Sequence, residues 1–193
     1  VVRALASSRG LFCTLLYFAL AVQTYRYVSG ASFYGEYLHW TGKQSVRLLI
    51  AAMSVTPLRL LFPRAGWVKW LLQCRRVIGV AAFFYAAAHT IAYLQNQEGI
   101  ENIVRSGLTF EILTGWLAFA VMFILAATSN DLSVRVLGGK WKALHQAVFF
   151  CAALTLLHWI LTAFNPMVAY LHLALLLALL VWRKVAHSKL SLI

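Results

Sequence analysis

Long apolar runs separated by short polar connections dominate the chain. Six of them, at residues 11–28, 44–62, 77–95, 111–128, 143–162 and 167–184, match the roughly 17–25 helical residues needed to cross a hydrocarbon core. The runs are continuous and do not alternate apolar with polar, which excludes a transmembrane β-barrel. The pattern predicts an all-α membrane protein, a six-transmembrane-helix bundle. With every connection short, residues 1–193 are expected to form a single membrane domain with no internal repeat. The stretch 66–76 mixes Trp67, Trp70, Leu71 and Leu72 with Lys69, Arg75 and Arg76, and is expected to lie flat at one interface. The first run is too long for a cleavable signal peptide, and no small-residue cleavage site follows it, so it is expected to stay as a span.

Composition strengthens this picture. Of 193 residues, 62% are hydrophobic and 11% charged, with a mean hydropathy of +0.78; a soluble chain carries roughly 25% charged residues. The net charge of +12 would suggest nucleic-acid binding until the charges are placed on the spans. If the N-terminus is inside, all of the 17 basic residues except Arg26, Lys43, Arg47 and Arg105 fall on the inner side. That bias is the positive-inside signature, which puts both termini in the cytoplasm. The basic surplus therefore reports topology and attraction to anionic lipid, and no nucleic acid is expected as a partner. Cys13, Cys74 and Cys151 form no CxxC pair and are expected to be free thiols. No CxxCH is present, so covalent c-type haem attachment is excluded.

The chemistry lies in the histidines. Ionisable groups inside a membrane are costly and usually mark a functional site, and neutral imidazole is a common ligand of haem iron. From the inner ends of their spans, His89 lies about 20 Å and His158 about 24 Å outward, depths that match. Facing each other across two helices, they would hold haem b. His145 shares the fifth run with His158 but lies 13 positions earlier, about 20 Å away along a helix axis. It has no evident transmembrane histidine partner, so a second haem there is weighed against contact with a flavin such as FMN, a quinone or a haem propionate. His172, in the last run, is a reserve ligand for the outer site. His39, at the mouth of the second run, and His187, in the basic tail, are expected to be solvated. Arg75 and Arg76 open the third run and are candidates for haem propionates or a flavin phosphate.

Several segments resemble one family. HWTGKQSVRLLIAAMSVTPLR (39–59), RRVIGVAAFFYAAAHTIAY (75–93), LAATSN (125–130) and LGGKWKALHQAVFF (137–150), leading to LHW (157–159), resemble the MsrQ (YedZ) family. These are haem-binding membrane subunits of the ferric-reductase-like transmembrane superfamily, to which the NADPH oxidases also belong. The resemblance runs from His39 onward and implies a b-type cytochrome of the bacterial inner membrane. Its electrons would pass to a periplasmic molybdopterin enzyme that reduces methionine sulfoxide. The family's haem-linked histidines would map onto His89, His145 and His158. The NADPH-oxidase relatives carry a further histidine early in the third span; here Arg75 and Arg76 occupy those places, which favours one outer haem over a regular inner one.

No nucleotide-binding module is visible, so hydride chemistry is expected elsewhere, with electrons arriving from a cytoplasmic flavin reductase, a bound flavin or quinol. Two alternatives use the same histidines: a transmembrane reductase of ferric chelates or other small acceptors, and a transporter with a proton relay.

Overall fold

The computed structural model describes the backbone of residues 2–190 and the side chains of residues 8–185. The side chains of Arg3, His187 and Lys189 lie outside the described residues. Nearly everything described is helical, with no strand. Long helices are α1 (Val2–Val28), α2 (Tyr34–Leu61), α3 (Gly66–Gln95), α5 (Phe110–Ala127), α8 (Val148–Thr162) and α9 (Met167–Leu190). Three short ones are α4 (Ile100–Gly107) and α6 (Asp131–Leu137), in the connections, and α7 (Gly139–His145), which overlaps the start of the expected 143–162 run. Among the described residues, five stretches are long and apolar enough to cross a bilayer: Ser8–Val28, Gly66–Gln95, Phe110–Ala127, Gly139–Thr162 and Met167–Val185. This is a multi-pass membrane protein.

Helix α2, which carries the expected 44–62 run, is not among the five. Glu36, Lys43, Arg47 and Arg59 interrupt its apolar sequence. Helix α2 packs most extensively on α3 and also touches α1, α8 and α9, while Glu36, Arg47 and Arg59 lie on its exposed face. Tyr37, Thr41, Ser45, Val46, Leu49, Ile50 and Met53 are all buried along it.

Residues 66–76 do not form a separate interfacial segment. They are the first turns of the 30-residue α3, which at about 1.5 Å per residue reaches about 45 Å, longer than the roughly 30 Å hydrocarbon core. The expected amphipathic stretch is the overhang. Its Trp70 meets α1, with Nε1 donating to Ser8 Oγ at 3.1 Å and the ring edge-on to Phe12.

The core lies between α2, α3, α5, α8 and α9, around Val46, Leu49, Ile50, Ala82, Met122, Cys151, Ala152, Leu156 and Leu176. Small residues bring α5 and α8 close, as is usual between membrane helices: Cys151 Sγ reaches the Ala118 carbonyl at 3.5 Å. The run expected at 143–162 lies within one candidate span, Gly139–Thr162, whose helical bonding tightens locally at Gln146–Ala147. After α7 ends at His145, short-range bonds from Ala147 N–H to Leu144 O and from Phe149 N–H to Gln146 O carry the chain through a tight turn into α8. His145 and His158 therefore share one span with a local tightening between them.

Candidate functional site

His89 comes from α3 and His158 from α8, yet their ring centres stand 6.3 Å apart with the planes at 87°. Each ring is held by a backbone carbonyl of a different helix. His89 Nδ1 lies 2.9 Å from Leu38 O on α2, and His158 Nδ1 lies 2.7 Å from Glu111 O on α5. A carbonyl can only accept, so both Nδ1 atoms carry the proton. In the neutral imidazole, Nε2 then bears the free lone pair on both rings. Such hydrogen bonding of the remote nitrogen is what fixes the tautomer and orientation of a metal-binding histidine.

Room for the rings comes from two glycines. A Cβ on Gly42 would stand 3.0 Å from His89 Nδ1, and one on Gly115 would stand 2.8 Å from His158 Cε1. The spacing is the same on both sides: the accepting carbonyl belongs to Leu38, four residues before Gly42, and to Glu111, four before Gly115. The residue before each glycine is a buried threonine, Thr41 or Thr114. Thr41 Oγ1 donates to Tyr37 O at 2.8 Å and reaches Leu38 O at 3.1 Å; Thr114 Oγ1 donates to Glu111 O at 2.7 Å. The two histidines thus sit in duplicate seats, each a carbonyl, a threonine and a glycine. The echo spans five residues, and only Thr-Gly recurs in the letters, because the carbonyl is contributed by Leu38 in one seat and Glu111 in the other. These six positions were not anticipated as site residues.

Both histidines line one cavity of about 210 Å³. Its inner wall is apolar, with Val46, Ala86, Ala118, Phe119 and Met122, while His39, Lys43, Thr90 and Thr162 add polar groups. Helix α4 ties onto the rim: Tyr93 and Ser106 share a 2.7 Å hydroxyl hydrogen bond, and Gly107 abuts Trp116. His39 is exposed and lines this cavity. His172 does not line it; its Nδ1 bonds Val168 O within α9 and its ring lies against Trp159. The structure thus keeps the expected reserve ligand out of the cavity.

A haem fits these residues. Two imidazoles from different helices, each with its Nδ1 tied to a carbonyl and ring centres 6.3 Å apart, are a donor set that would suit a haem iron.

The other end of the bundle is different. His145 stacks on Trp141 with ring centres 4.0 Å apart, and Trp141 Nε1 donates to Thr128 O at 2.9 Å. Thr128 Oγ1 donates to Ile124 O at 2.7 Å and shares a 3.2 Å hydrogen bond with His145 Nε2. No second histidine lies beside it among the described residues. Arg75 and Arg76 are close enough for their charge to act on His145, but both already have protein partners. Arg75 Nε donates to Ala52 O at 3.0 Å and Arg76 Nη1 pairs with Asp131 Oδ1 at 2.6 Å. Among the described residues no group of three or more His, Cys, Asp or Glu side chains is arranged to hold a metal ion.

Comparison with known proteins agrees in kind. Residues 41–156 match the model of the ferric reductase like transmembrane component, a segment that includes His89 and His145 and ends two residues before His158. The protein-methionine-sulfoxide reductase heme-binding subunit MsrQ of Pectobacterium atrosepticum is 33% identical over 153 residues, covering 76% of this chain and 75% of that protein. Proteins of the same description from Azospira oryzae and Brucella ovis are 35% and 34% identical, over 78% and 75% of this chain and 65% and 66% of their own lengths.

Proposed function

Because this chain belongs to the ferric-reductase-like transmembrane family, and within it to the MsrQ haem-binding subunits, we propose that it is a b-type cytochrome conducting electrons outward across the bacterial inner membrane. The observation that carries this reading is the His89–His158 pair: two Nε2 lone pairs on rings 6.3 Å apart, each fixed by a carbonyl on its Nδ1 side. His89 and His158 hold haem b at the outer end of the bundle. When bound, its iron supplies reversible one-electron chemistry, with a potential set by the axial ligands, hydrogen bonding and burial.

The chain's own residues do the rest. The wall formed by Val46, Ala86, Ala118, Phe119 and Met122 excludes water on the inner side of the site. Lys43, at the same cavity, supplies a cation for a haem carboxylate, the role first expected of Arg75 and Arg76. Those arginines, with His145 and Trp141, instead belong to the donor side, where a cytoplasmic flavin reductase, bound FMN or quinol delivers electrons. One haem is assigned to the outer pair, where two histidines face each other across helices.

The topology of this reading has six spans, with α2 as the central one and both termini cytoplasmic, as the inner basic residues require. The outward acceptor is a periplasmic molybdopterin subunit that reduces methionine sulfoxide, and the sulfoxide itself never enters this chain. The test is reconstitution in liposomes with reductant inside. Reduction of protein-bound methionine sulfoxide outside should require the periplasmic subunit, and ferric chelate alone should be a poor acceptor. Rapid ferric-chelate reduction without any partner would instead favour a self-sufficient metalloreductase.

A further inference from the structure

The threonine in each histidine seat has no role in simply making room, which the glycine already does. Both threonines are buried, and both place a hydroxyl on the carbonyl that accepts the histidine Nδ1–H. In the α8 seat the Glu111 carbonyl receives Thr114 Oγ1 and His158 Nδ1, both at 2.7 Å. In the α3 seat the Leu38 carbonyl receives His89 Nδ1 at 2.9 Å and Thr41 Oγ1 at 3.1 Å, with the Thr41 hydroxyl also 2.8 Å from Tyr37 O. A carbonyl oxygen has two lone pairs, and each of these also lies within a helical hydrogen-bond ladder. Donors crowded onto one acceptor weaken one another.

The strength of a histidine's remote hydrogen bond governs its basicity as a ligand. A stronger Nδ1–H bond makes the imidazole more electron-rich, which favours ferric iron and lowers the potential. We propose that Thr41 and Thr114 are positioning residues that moderate the carbonyl bonds of His89 and His158 and so raise the potential of the haem between them. This rests on the reading of that pair as the axial ligands. The two seats are unequal: Thr114 directs its hydroxyl at the shared carbonyl, while Thr41 divides its own between two carbonyls. Thr114 therefore has the larger influence.

The test is a redox titration of the purified haem-loaded protein, with low-spin electron paramagnetic resonance as a check on axial ligation. Thr114→Val removes the hydroxyl at nearly constant volume and should shift the midpoint potential downward. Thr41→Val should shift it in the same direction by less. Thr114→Ser keeps the hydroxyl and should stay with the wild type, an outcome that a purely packing role for the methyl group does not produce. Potentials for both valine variants equal to wild type, or a serine variant that shifts as far as valine, overturn the proposal. If Thr114→Val does not retain haem, Thr41→Val and Thr41→Ser decide it by the same comparison. A wild-type protein without a low-spin haem would sink the ligand reading itself, whereas unchanged potentials with the low-spin signal intact sink only the role of the threonines.

Discussion

Gly115 and His158 are in such close contact that a methyl group on the glycine would stand 2.8 Å from Cε1, 2.9 Å from Nδ1 and 3.2 Å from Nε2 of the imidazole. Three ring atoms are approached at once, so a small tilt of the ring cannot relieve the clash. Gly115→Ala should therefore lower haem affinity by about 10-fold or more, the scale of disturbed outer-shell partners. Gly42→Ala, whose Cβ would stand 3.0 Å from His89 Nδ1 and 3.2 Å from Cε1, should have the milder effect. Haem-to-protein ratios after purification at limiting haem would rank the two.

The remaining histidines separate by position. His172 faces Trp159 and bonds within its own helix, so His172→Ala should leave the haem spectrum and its intensity unchanged. His145→Ala should also keep the outer haem while slowing its reduction from the cytoplasmic side. Stopped-flow reduction in membrane vesicles, followed at the haem Soret band, resolves the two variants. Complete haem loss in His145→Ala would make the inner histidine a structural ligand and overturn its assignment to the donor side.

Topology is open to a direct check. Phe164 is fully exposed in the α8–α9 connection at the end that holds His158. Lys140 is exposed on α7 at the opposite end. In a variant whose native cysteines are replaced, a cysteine in place of Phe164 should react with a membrane-impermeant maleimide added to intact spheroplasts. One in place of Lys140 should react only after lysis. The reverse result would invert the orientation and with it the direction of electron flow.

At the inner end, Asp131 is paired with Arg76, and that hydrogen bond with the guanidinium charge holds its carboxyl below the usual aspartate range. A lowered folded-state pKa contributes stability above the unfolded-state value, and that contribution is lost as pH falls through the folded value. The pair is exposed to solvent and salt, so the effect is small. Asp131→Asn should lower the thermal midpoint slightly at pH 7, and the difference from wild type should shrink steadily as the pH is lowered through and below the carboxylate range. A difference that persists below that range would mean that Asp131 acts through its shape, not its charge.

Much of the fold was legible because bilayer crossing writes itself into long apolar runs. The ends of α5, expected at 111–128 and found at Phe110–Ala127, show how closely hydropathy follows the helix. The signal weakens in α2, where Lys43 and Arg47 interrupt the apolar sequence of a helix whose other face is packed on α3. It also misses α4 and α6, which are too short to show in a span-length window, and the turn at Gln146–Ala147, which contains neither glycine nor proline. In the site, His89 and His158 were legible from matched depth together with the family resemblance, since depth by itself also admits His172, which the structure keeps out of the cavity. Their seats were not. Backbone carbonyls leave no trace in side-chain identity, and Thr41-Gly42 and Thr114-Gly115 are pairs too common to notice until the rings are seen against them.

The central claim is that His89 and His158 together hold one haem b. Its most direct test is a reduced-minus-oxidised absorbance spectrum of the detergent-purified protein, with haem quantified as the pyridine haemochrome, for wild type and for His89→Ala and His158→Ala. The account predicts a low-spin b-type spectrum with one haem per chain in the wild type, absent from each variant. A haem-free wild type from cells supplied with haem precursor, or a full low-spin spectrum in either variant, would contradict it.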